Sequence, residues 1–234
     1  MTALTPVVVI GGTSGIGLAT AELFSRSGAP TVVVGRDREK LEQAVRQLGP
    51  GARGEVADAA DRASLDGLFA KIAPIGHLVI AASGGAGAGP FATVAADDVR
   101  RGFEAKFWVH FNTAQAALPY LTKDGSITFV SAASGRFANP GTAGLGAING
   151  AIDRLVATLA RELAPLRVNA VSPGVIDTPW WADKPAGLFE RESRKAPLAR
   201  AGKADEVADA IAFLVRNRFV TGVVLDVDGG LHLT

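Results

Sequence analysis

The chain has 234 residues, of which 48% are hydrophobic and 20% are charged, so it is long enough to bury a sizeable core in one α/β domain. Its formal net charge of +1 gives no broad field that would attract nucleic acid or an anionic membrane. The absence of cysteine excludes disulfides, thiolate nucleophiles and cysteine-based metal sites.

Short β-branched runs alternate with helical patterns along the sequence. In chain order, the predicted elements are a strand at 5–10, a helix at 18–28, a strand at 31–35, a helix at 37–49, a strand at 54–57, a helix at 64–72, a strand at 77–82, a helix at 97–121, a strand at 125–131, a helix at 145–163, a strand at 166–172, an irregular segment at 179–200, a helix at 205–215 and a strand at 223–230. Such alternation indicates parallel strands joined by crossover helices. Because no linker or repeat interrupts it, we predict a single doubly wound (Rossmann) domain over 1–234 with a mostly parallel seven-stranded sheet.

Neither a membrane segment nor a metal site is expected. The first apolar run, Val7–Ile10, is too short for a signal peptide or a membrane span, and glycines interrupt the weakly charged stretch 78–96. A cytoplasmic protein is therefore the expectation. The three histidines, His77, His110 and His232, have no metal-ligand spacing and are expected to be structural or surface residues.

A glycine-rich turn, GGTSGIG at 11–17, follows the first strand and opens the first helix. Glycines permit a tight turn and a close backbone approach to a pyrophosphate, and the helix N-terminus adds partial positive charge. Placed between a first strand and a first helix, the pattern favours a dinucleotide site over a merely flexible loop. The predicted cofactor contacts in this turn are Gly11, Thr13, Ser14, Gly15, Ile16 and Gly17.

The end of the second strand favours NADP(H). An acidic residue there would hold the adenosine ribose hydroxyls of NAD, whereas a basic residue suits a 2′-phosphate. Here Gly35 occupies the place of the acid and Arg36 follows it, with Arg38 as a candidate helper. The alternative for Arg36 is a solvated surface charge. Asp37, which sits between the two arginines, could instead cap the next helix.

Five segments in this order resemble the short-chain dehydrogenase/reductase family over nearly the whole chain: GGTSGIG, VADAAD, RVNAVSPGVIDT, LARAGKADEVADAIAFL and TGVVLDVDGG. The resemblance implies that Asp58 binds the adenine amino group and that Thr178 reaches a cofactor phosphate. It also implies that the nicotinamide lies against Pro173, Gly174 and Ile176. The family's fourth-strand motif corresponds to AASG, which adds Ala82, Ser83 and Gly84 to the expected cofactor contacts. A homodimer or homotetramer is expected on the same ground.

The resemblance also shows where the family's usual catalytic groups would stand. Its members use a Tyr-x-x-x-Lys pair, a serine on the preceding strand and an asparagine on the helix before that strand. The spacing puts Ala132 at the serine position, Leu145 at the tyrosine position, Asn149 at the lysine position and Lys106 at the asparagine position. The one tyrosine of the chain, Tyr120, lies elsewhere. The scaffold is therefore expected without its usual catalytic residues.

Lys106, Asn149 and Ser131 are the candidates for replacing the lost chemistry. If Lys106 projects into the cleft, burial would lower its pKa towards neutrality and make the ammonium a plausible acid. The alternative is that Lys106 extends along an amphipathic helix to solvent. His110, one helical turn later, would share its face.

Two functions remain open. One is an NADP(H)-dependent oxidoreductase that transfers hydride between a carbonyl and an alcohol with an unusual proton donor. The other is a non-catalytic NADP(H)-binding protein, such as a sensor or partner subunit; non-redox chemistry on the same scaffold is a third possibility. The segment 179–200, with Trp180 and Trp181, is expected to form either a lid over a small-molecule substrate or a loop anchored by buried tryptophan.

Overall fold

The computed structural model describes residues 5–234, and these residues form a seven-stranded parallel sheet with helices on both faces. The strand order is β3–β2–β1–β4–β5–β6–β9, and β7 and β8 form a separate two-stranded parallel ribbon. The strands are β1 (Val7–Ile10), β2 (Thr31–Gly35), β3 (Ala52–Val56), β4 (Ile75–Ile80), β5 (Leu121–Val130), β6 (Arg167–Pro173), β7 (Ile176–Asp177), β8 (Gly202–Lys203) and β9 (Val224–Val227). The predicted doubly wound α/β domain is confirmed.

The helices cover the sheet because each buries an apolar strip against it. They are α1 (Gly15–Arg26), α2 (Arg38–Leu48), α3 (Arg62–Ile72), α4 (Ala96–Gly102), α5 (Val109–Ala117), α6 (Ala143–Glu162), α7 (Leu188–Ser193) and α8 (Ala204–Arg216). Helices α3, α5 and α6 pack on one face, and α1, α2 and α8 pack on the other. Across the described residues, the helices are all too short or too polar to cross a membrane.

The predicted helix at 97–121 is not one regular helix. Between α4 and α5 the backbone forms a π-helical segment, Phe103–Trp108, and a short 3₁₀ turn, Leu118–Tyr120, leads into β5. A π-helical segment widens the helix locally and is often found at functional sites. It contains Lys106, whose side chain is turned into the protein interior.

The segment 179–200 is more ordered than predicted. A 3₁₀ turn, Pro179–Trp181, opens it, and the six-residue helix α7 follows. The prediction of irregular structure was wrong for α7, because charged residues at helical spacing concealed a short amphipathic pattern whose inward residue, Ser193, is buried.

The carboxyl ends of the central strands meet at one edge of the sheet, where the connections on either side of β1 run in opposite directions. Such a switch point is where open α/β sheets bind ligands. The turn after β1 touches the loop after β4, since a Cβ on Gly11 would lie 2.8 Å from the Ala82 backbone nitrogen. It also touches the segment after β6, because a Cβ on Gly15 would lie 3.3 Å from Thr178 Cγ2.

Gly17 sets how closely α1 approaches this turn. A Cβ at residue 17 would lie 2.2 Å from the carbonyl oxygen of Gly11, which is backbone and cannot rotate away. We predict that Gly17→Ala lowers the free energy of unfolding by about 3 kcal/mol, because overpacking a close contact forces the backbone apart. Urea denaturation of both proteins measures this difference in the free energy of unfolding.

Gly67 is the matched control, since it also lies in a helix, α3, but a Cβ there would meet nothing within 4 Å. Gly67→Ala is expected to raise the free energy of unfolding by about 0.5–1 kcal/mol through helix propensity. Equal stabilities of the two variants would contradict the proposed packing at Gly17.

Candidate cofactor cleft and active site

The turn between β1 and α1 presents backbone donors to the cleft. Ser14 precedes the first helical residue in an extended conformation, and in the described chain its side chain caps none of the N–H groups of the first turn. These N–H groups and the helix dipole favour an anion at this point. The arrangement has the geometry expected of a pyrophosphate site.

Packing at the end of β2 is tight. A Cβ at Gly35 would lie 2.6 Å from Thr13 Cγ2, so any side chain there would require the Thr13 side chain to rotate or shift. Arg36 is exposed next to it. The Asp37 carboxylate accepts a hydrogen bond from Lys40 N (3.1 Å), so it caps α2, the role that the sequence suggested for it.

The remaining residues that are expected on the adenosine side lie on loops at the same edge. Asp58 is exposed, and its Oδ1 accepts a hydrogen bond from Ala60 N (2.9 Å). Ser83 is exposed in the loop after β4, and Ala82 and Gly84 are half-buried beside it. A Cβ on Gly84 would lie 2.7 Å from Ala105 Cβ, so this loop packs directly on the π-helical segment.

The residues that are expected at the nicotinamide lead directly into the tryptophan pair. Pro173 ends β6, and Ile176 pairs with Gly202 in the small ribbon. Trp181 Nε1 donates a hydrogen bond to Ile176 O (2.9 Å), and the Trp180 ring packs edge-on against it with centroids 4.8 Å apart. A tryptophan anchor and an exposed partner therefore follow the expected nicotinamide site.

Lys184 connects this segment to the loop after β4. Its Nζ lies 4.2 Å from the centroid of the Trp180 ring, a cation–π contact. A Cβ on Gly85 would lie 3.1 Å from the same Nζ, so the loop after β4 is in contact with the segment after β7. In the sheet, β5 lies between β4 and β6.

Lys106 is an ammonium in the protein interior. The residue is 7% exposed, and its Nζ donates a hydrogen bond to the Ser131 carbonyl (3.0 Å) at the end of β5. Burial lowers its pKa to about 8, and the Asp153 carboxylate acts in the opposite direction. The interpretation that Lys106 extends to solvent was wrong, because the π-helical segment directs the side chain towards β5.

Asn149 and Ser131 lie close to the same strand end. Asn149 Nδ2 donates to Ser134 Oγ (3.0 Å) and to Leu145 O (2.9 Å), and the residue is 3% exposed. Ser131 Oγ donates to Val171 O (3.2 Å). The side chains at Ala132 and Leu145 carry no ionisable group. Lys106 and Ser131 are thus in direct contact, whereas Asn149 contacts the loop that follows Ser131.

Tyr120 is remote from this site. It precedes β5, and the cleft lies at the other end of that strand. Leu121 pairs with Ile75 and Phe129 with Ile80 across a β-bulge, so the two ends lie about five strand positions, roughly 17 Å, apart.

His110 is buried and neutral. Burial, together with the nearby charge of Lys106, lowers its pKa to about 3. Its Nε2 donates to the Ala82 carbonyl (2.9 Å), and its ring stacks on Phe129 with centroids 5.9 Å apart. His110 therefore ties α5 to the loop after β4 as a structural residue.

Sequence reasoning missed Asp153. It lies on α6 one turn after Asn149, and both its carboxylate oxygens are buried without a hydrogen-bond partner among residues 5–234. Burial raises its pKa, and the Ser131 hydroxyl, Arg136 and Lys106 oppose that rise. The available signal was a carboxylate at helical spacing from Asn149, between the buried Ile152 and Val156.

His232 lies with two carboxylates, which its sequence spacing did not suggest. Ligand atoms of Asp226, Asp228 and His232 lie within 4.8 Å of one another. The Asp228 carboxylate already accepts hydrogen bonds from Gly230 N, His232 N and His232 Nδ1 (2.8–2.9 Å). These contacts hold the turn after β9, and the expectation of no metal site stays a prediction.

Comparisons with known proteins agree with this architecture. A family model described as enoyl-(acyl carrier protein) reductase matches residues 11–232. The chain is 32% identical over 244 residues to 3-oxoacyl-(acyl-carrier-protein) reductase FabG of Thermotoga maritima, with 96% of each chain covered.

Two solved structures are similar over almost their whole length. One, described as a short chain dehydrogenase/reductase family protein, shares 32% identity at a TM-score of 0.89 and covers 98% of both chains. The other, a small-chain dehydrogenase in complex with NADPH, shares 32% identity at a TM-score of 0.81 over 98% of this chain and 99% of its own. The chain therefore belongs to the short-chain dehydrogenase/reductase family.

Proposed function

We propose that this protein is an NADP(H)-dependent oxidoreductase that interconverts a small carbonyl compound and its alcohol, with Lys106 as the proton donor. The observation that carries the proposal is the buried Lys106 ammonium, held by the Ser131 carbonyl where β5 ends in the cleft. A charge placed in the interior at the cofactor edge of the sheet is typical of a functional site.

The cofactor choice rests on the end of β2. Arg36 is exposed where the 2′-phosphate would lie, and an acid at residue 35 would require the Thr13 side chain to move. The turn 11–17 would hold the pyrophosphate, with Thr178 against it. When bound, the nicotinamide would supply the hydride. A similar protein whose structure contains NADPH supports this choice.

Lys106 would supply the proton that the carbonyl oxygen needs. Its pKa of about 8 keeps it protonated at neutral pH and close enough to neutrality to release the proton. Ala132 and Leu145 stand where the resemblance implies the serine and tyrosine of the family, and neither can donate. The hydroxyls of Ser131 and Ser134 are weaker acids than a phenol and would serve in hydrogen bonding.

The bridge from Trp180 to Lys184 would act as the lid of the site within the segment 179–200. Trp181 fixes the base of this segment through its bond to Ile176 O, while the Trp180 ring and Lys184 lie across the cleft against Gly85. Closing this bridge would exclude water from the carbonyl. A cationic Lys184 at the rim would also suit a substrate with a negatively charged group.

A non-catalytic NADP(H)-binding protein is the second candidate. The absence of an ionisable side chain at Ala132 and Leu145 favours it. The two candidates differ in one measurement: oxidation of NADPH with a panel of ketones, aldehydes and oxoacyl thioesters. Tight NADPH binding with no turnover on any of them would favour the second candidate.

The Arg36 side chain is expected to select the cofactor. Arg36→Ala should weaken NADPH binding by about 10- to 100-fold, because hydrogen bonds to a charged group contribute about 1.5–3 kcal/mol. NADH binding should stay nearly constant, since NADH has no 2′-phosphate. Fluorescence titration of both cofactors measures the two affinities.

Arg53→Ala provides the control for Arg36, since Arg53 is an exposed arginine on β3, the neighbouring strand. It should change neither affinity. Equal losses of NADPH and NADH affinity in Arg36→Ala, or tighter binding of NADH by the unchanged protein, would refute the role of Arg36.

Lys106→Met is expected to lower kcat for carbonyl reduction by about 100-fold or more, the usual contribution of a general acid. NADPH affinity should change little. In the unchanged protein, kcat should fall as pH rises through about 8, because Lys106 then loses its proton. Lys123→Met, at an exposed lysine before β5's buried half, is the control. Unchanged turnover in Lys106→Met would end the proposal.

Lys106 should also destabilise the fold. The pKa of Lys106 is about 8 in the folded chain, whereas the ordinary value, expected in the unfolded chain, is 10.5. The protonated side chain therefore lowers the free energy of unfolding, and this effect has its full size below pH 8. Lys106→Met should therefore be more stable than the unchanged protein at pH 7, and the difference should shrink between pH 8 and 10.5. Chemical denaturation of both proteins over this pH range measures the difference in the free energy of unfolding. A less stable Lys106→Met at pH 7 would indicate a structural lysine instead.

A further inference from the structure

Asp153, on α6, lies against the loop that follows β5. A Cβ on Gly135 would lie 2.9 Å from Asp153 Oδ2 and 2.9 Å from Gly150 N, so only glycine leaves room for the carboxylate there. Both carboxylate oxygens are shielded from solvent, and neither accepts a hydrogen bond from any group in residues 5–234. A buried carboxylate without a partner is uncommon in proteins and requires an explanation.

Lys106 is the buried cation that interacts electrostatically with Asp153. The Asp153 charge raises the pKa of Lys106 against the effect of burial, and Lys106 in turn lowers that of Asp153. The two side chains come from different elements, the π-helical segment and α6, and they approach the end of β5 from the same face. They do not touch, because Lys106 Nζ is held by the Ser131 carbonyl instead.

Ser131 acts on both residues. Its carbonyl accepts from Lys106, and its hydroxyl is close enough to Asp153 to lower the pKa of that carboxyl. The hydroxyl donates to Val171 O (3.2 Å), but Val171 O also accepts from Ser131 N (2.9 Å). Rotating the hydroxyl from Val171 to Asp153 would therefore leave no carbonyl without a partner.

The other charged groups around this pair come from neighbouring elements. Arg136, in the loop after β5, lowers the pKa of Asp153, and Asp226 of β9 raises it. Arg136 Nη1 lies 3.4 Å from Asp226 Oδ2, and His110 is a neutral ring near Lys106. Asp153 also borders an open depression of about 310 Å³, lined by Gly135, Arg136, Gly150, Asp153, Arg154 and Val224. Small ions in solvent can reach its edge by this path.

We propose that Asp153 is the counterion of Lys106, and that the Ser131 hydroxyl, turned to Asp153, links the two charges. Asp153 is then a positioning residue: it keeps the ammonium protonated and directed at the end of β5 without touching substrate or cofactor. Its place in catalysis rests on the proposed function, whereas the pairing itself is a property of the protein alone.

The pKa of Lys106 is the direct readout. In protein labelled with ¹³C-lysine, the Cε resonance absent from Lys106→Met belongs to Lys106, and its shift against pH gives the pKa without any substrate. Asp153→Asn should move this pKa down by about one pH unit, because an opposite charge nearby favours the ammonium. Ser131→Ala keeps the carbonyl acceptor and should produce a smaller downward change.

Asp226→Asn is the matched control. It removes a carboxylate beside Asp153, yet Asp226 is not among the charges that act on Lys106. It should leave the pKa of Lys106 unchanged. A pKa of Lys106 that is equal in Asp153→Asn and in the unchanged protein would overturn the proposal, as would an equal fall in Asp226→Asn.

Rescue by formate separates a charge role from a packing role. Asp153→Ala opens space next to the depression, so added formate should restore the pKa of Lys106 towards its value in the unchanged protein, whereas chloride at the same ionic strength should not. Failure of formate in a folded Asp153→Ala protein whose Lys106 pKa has fallen would show that packing, not charge, couples the residues, and would overturn the proposal. If Asp153→Asn does not fold, this variant supplies the test.

The role of Asp153 in catalysis is tested separately, from the pH dependence of kcat. If Lys106 is the proton donor, the upper limb of the pH profile of kcat should move down in Asp153→Asn by the same amount as the pKa. A Lys106 pKa that depends on Asp153 in a protein that reduces no carbonyl would support the ion pair and refute the proposed function. If the protein reduces a carbonyl, but the Lys106 pKa and the pH profile of kcat do not change in Asp153→Asn, the result would support the proposed function and refute the ion pair.

Discussion

Holding an ammonium inside a protein is the constraint on which the proposed site depends. A charge away from water costs several kcal/mol unless dipoles and an opposite charge surround it. Here the π-helical segment turns Lys106 inward, the Ser131 carbonyl accepts from it, and Asp153 provides the negative charge. The π-helical segment, β5 and α6 are separate in sequence, and all three must be correctly placed to surround the ammonium. The end of β5 is therefore ordered by electrostatics as well as by packing.

Close packing fixes the rest of the cleft around that charge. Gly11 and Gly17 bring the first turn against the loop after β4 and against its own helix. His110 ties the same loop to α5 through the Ala82 carbonyl, one helical turn from Lys106. Because these contacts leave little free volume, the groups on the cleft are held by their neighbours. Rigid placement of this kind is what proton transfer and hydride transfer require.

Much of the fold could be predicted from the sequence because its signals are local. The alternation of β-branched runs with helical patterns gives the sheet, and GGTSGIG gives the turn. The π-helical segment could not be predicted, because residues 97–121 have ordinary helical spacing and tertiary contacts decide the widened turn. Asp153 was missed for the same reason: its partner, Lys106, lies 47 positions earlier, and only the folded chain brings the two together.

The contact between Gly35 and Thr13 bears on how the cofactor preference could change in evolution. An acid at residue 35 would suit NAD, but its side chain would meet the Thr13 methyl group 2.6 Å from its own Cβ. Thr13 belongs to the glycine-rich turn, so positions 13 and 35 are sterically coupled. An acid at 35 would require the Thr13 side chain to rotate, or a smaller residue at 13. A change of cofactor preference by this route would therefore involve the turn after β1 as well as the end of β2.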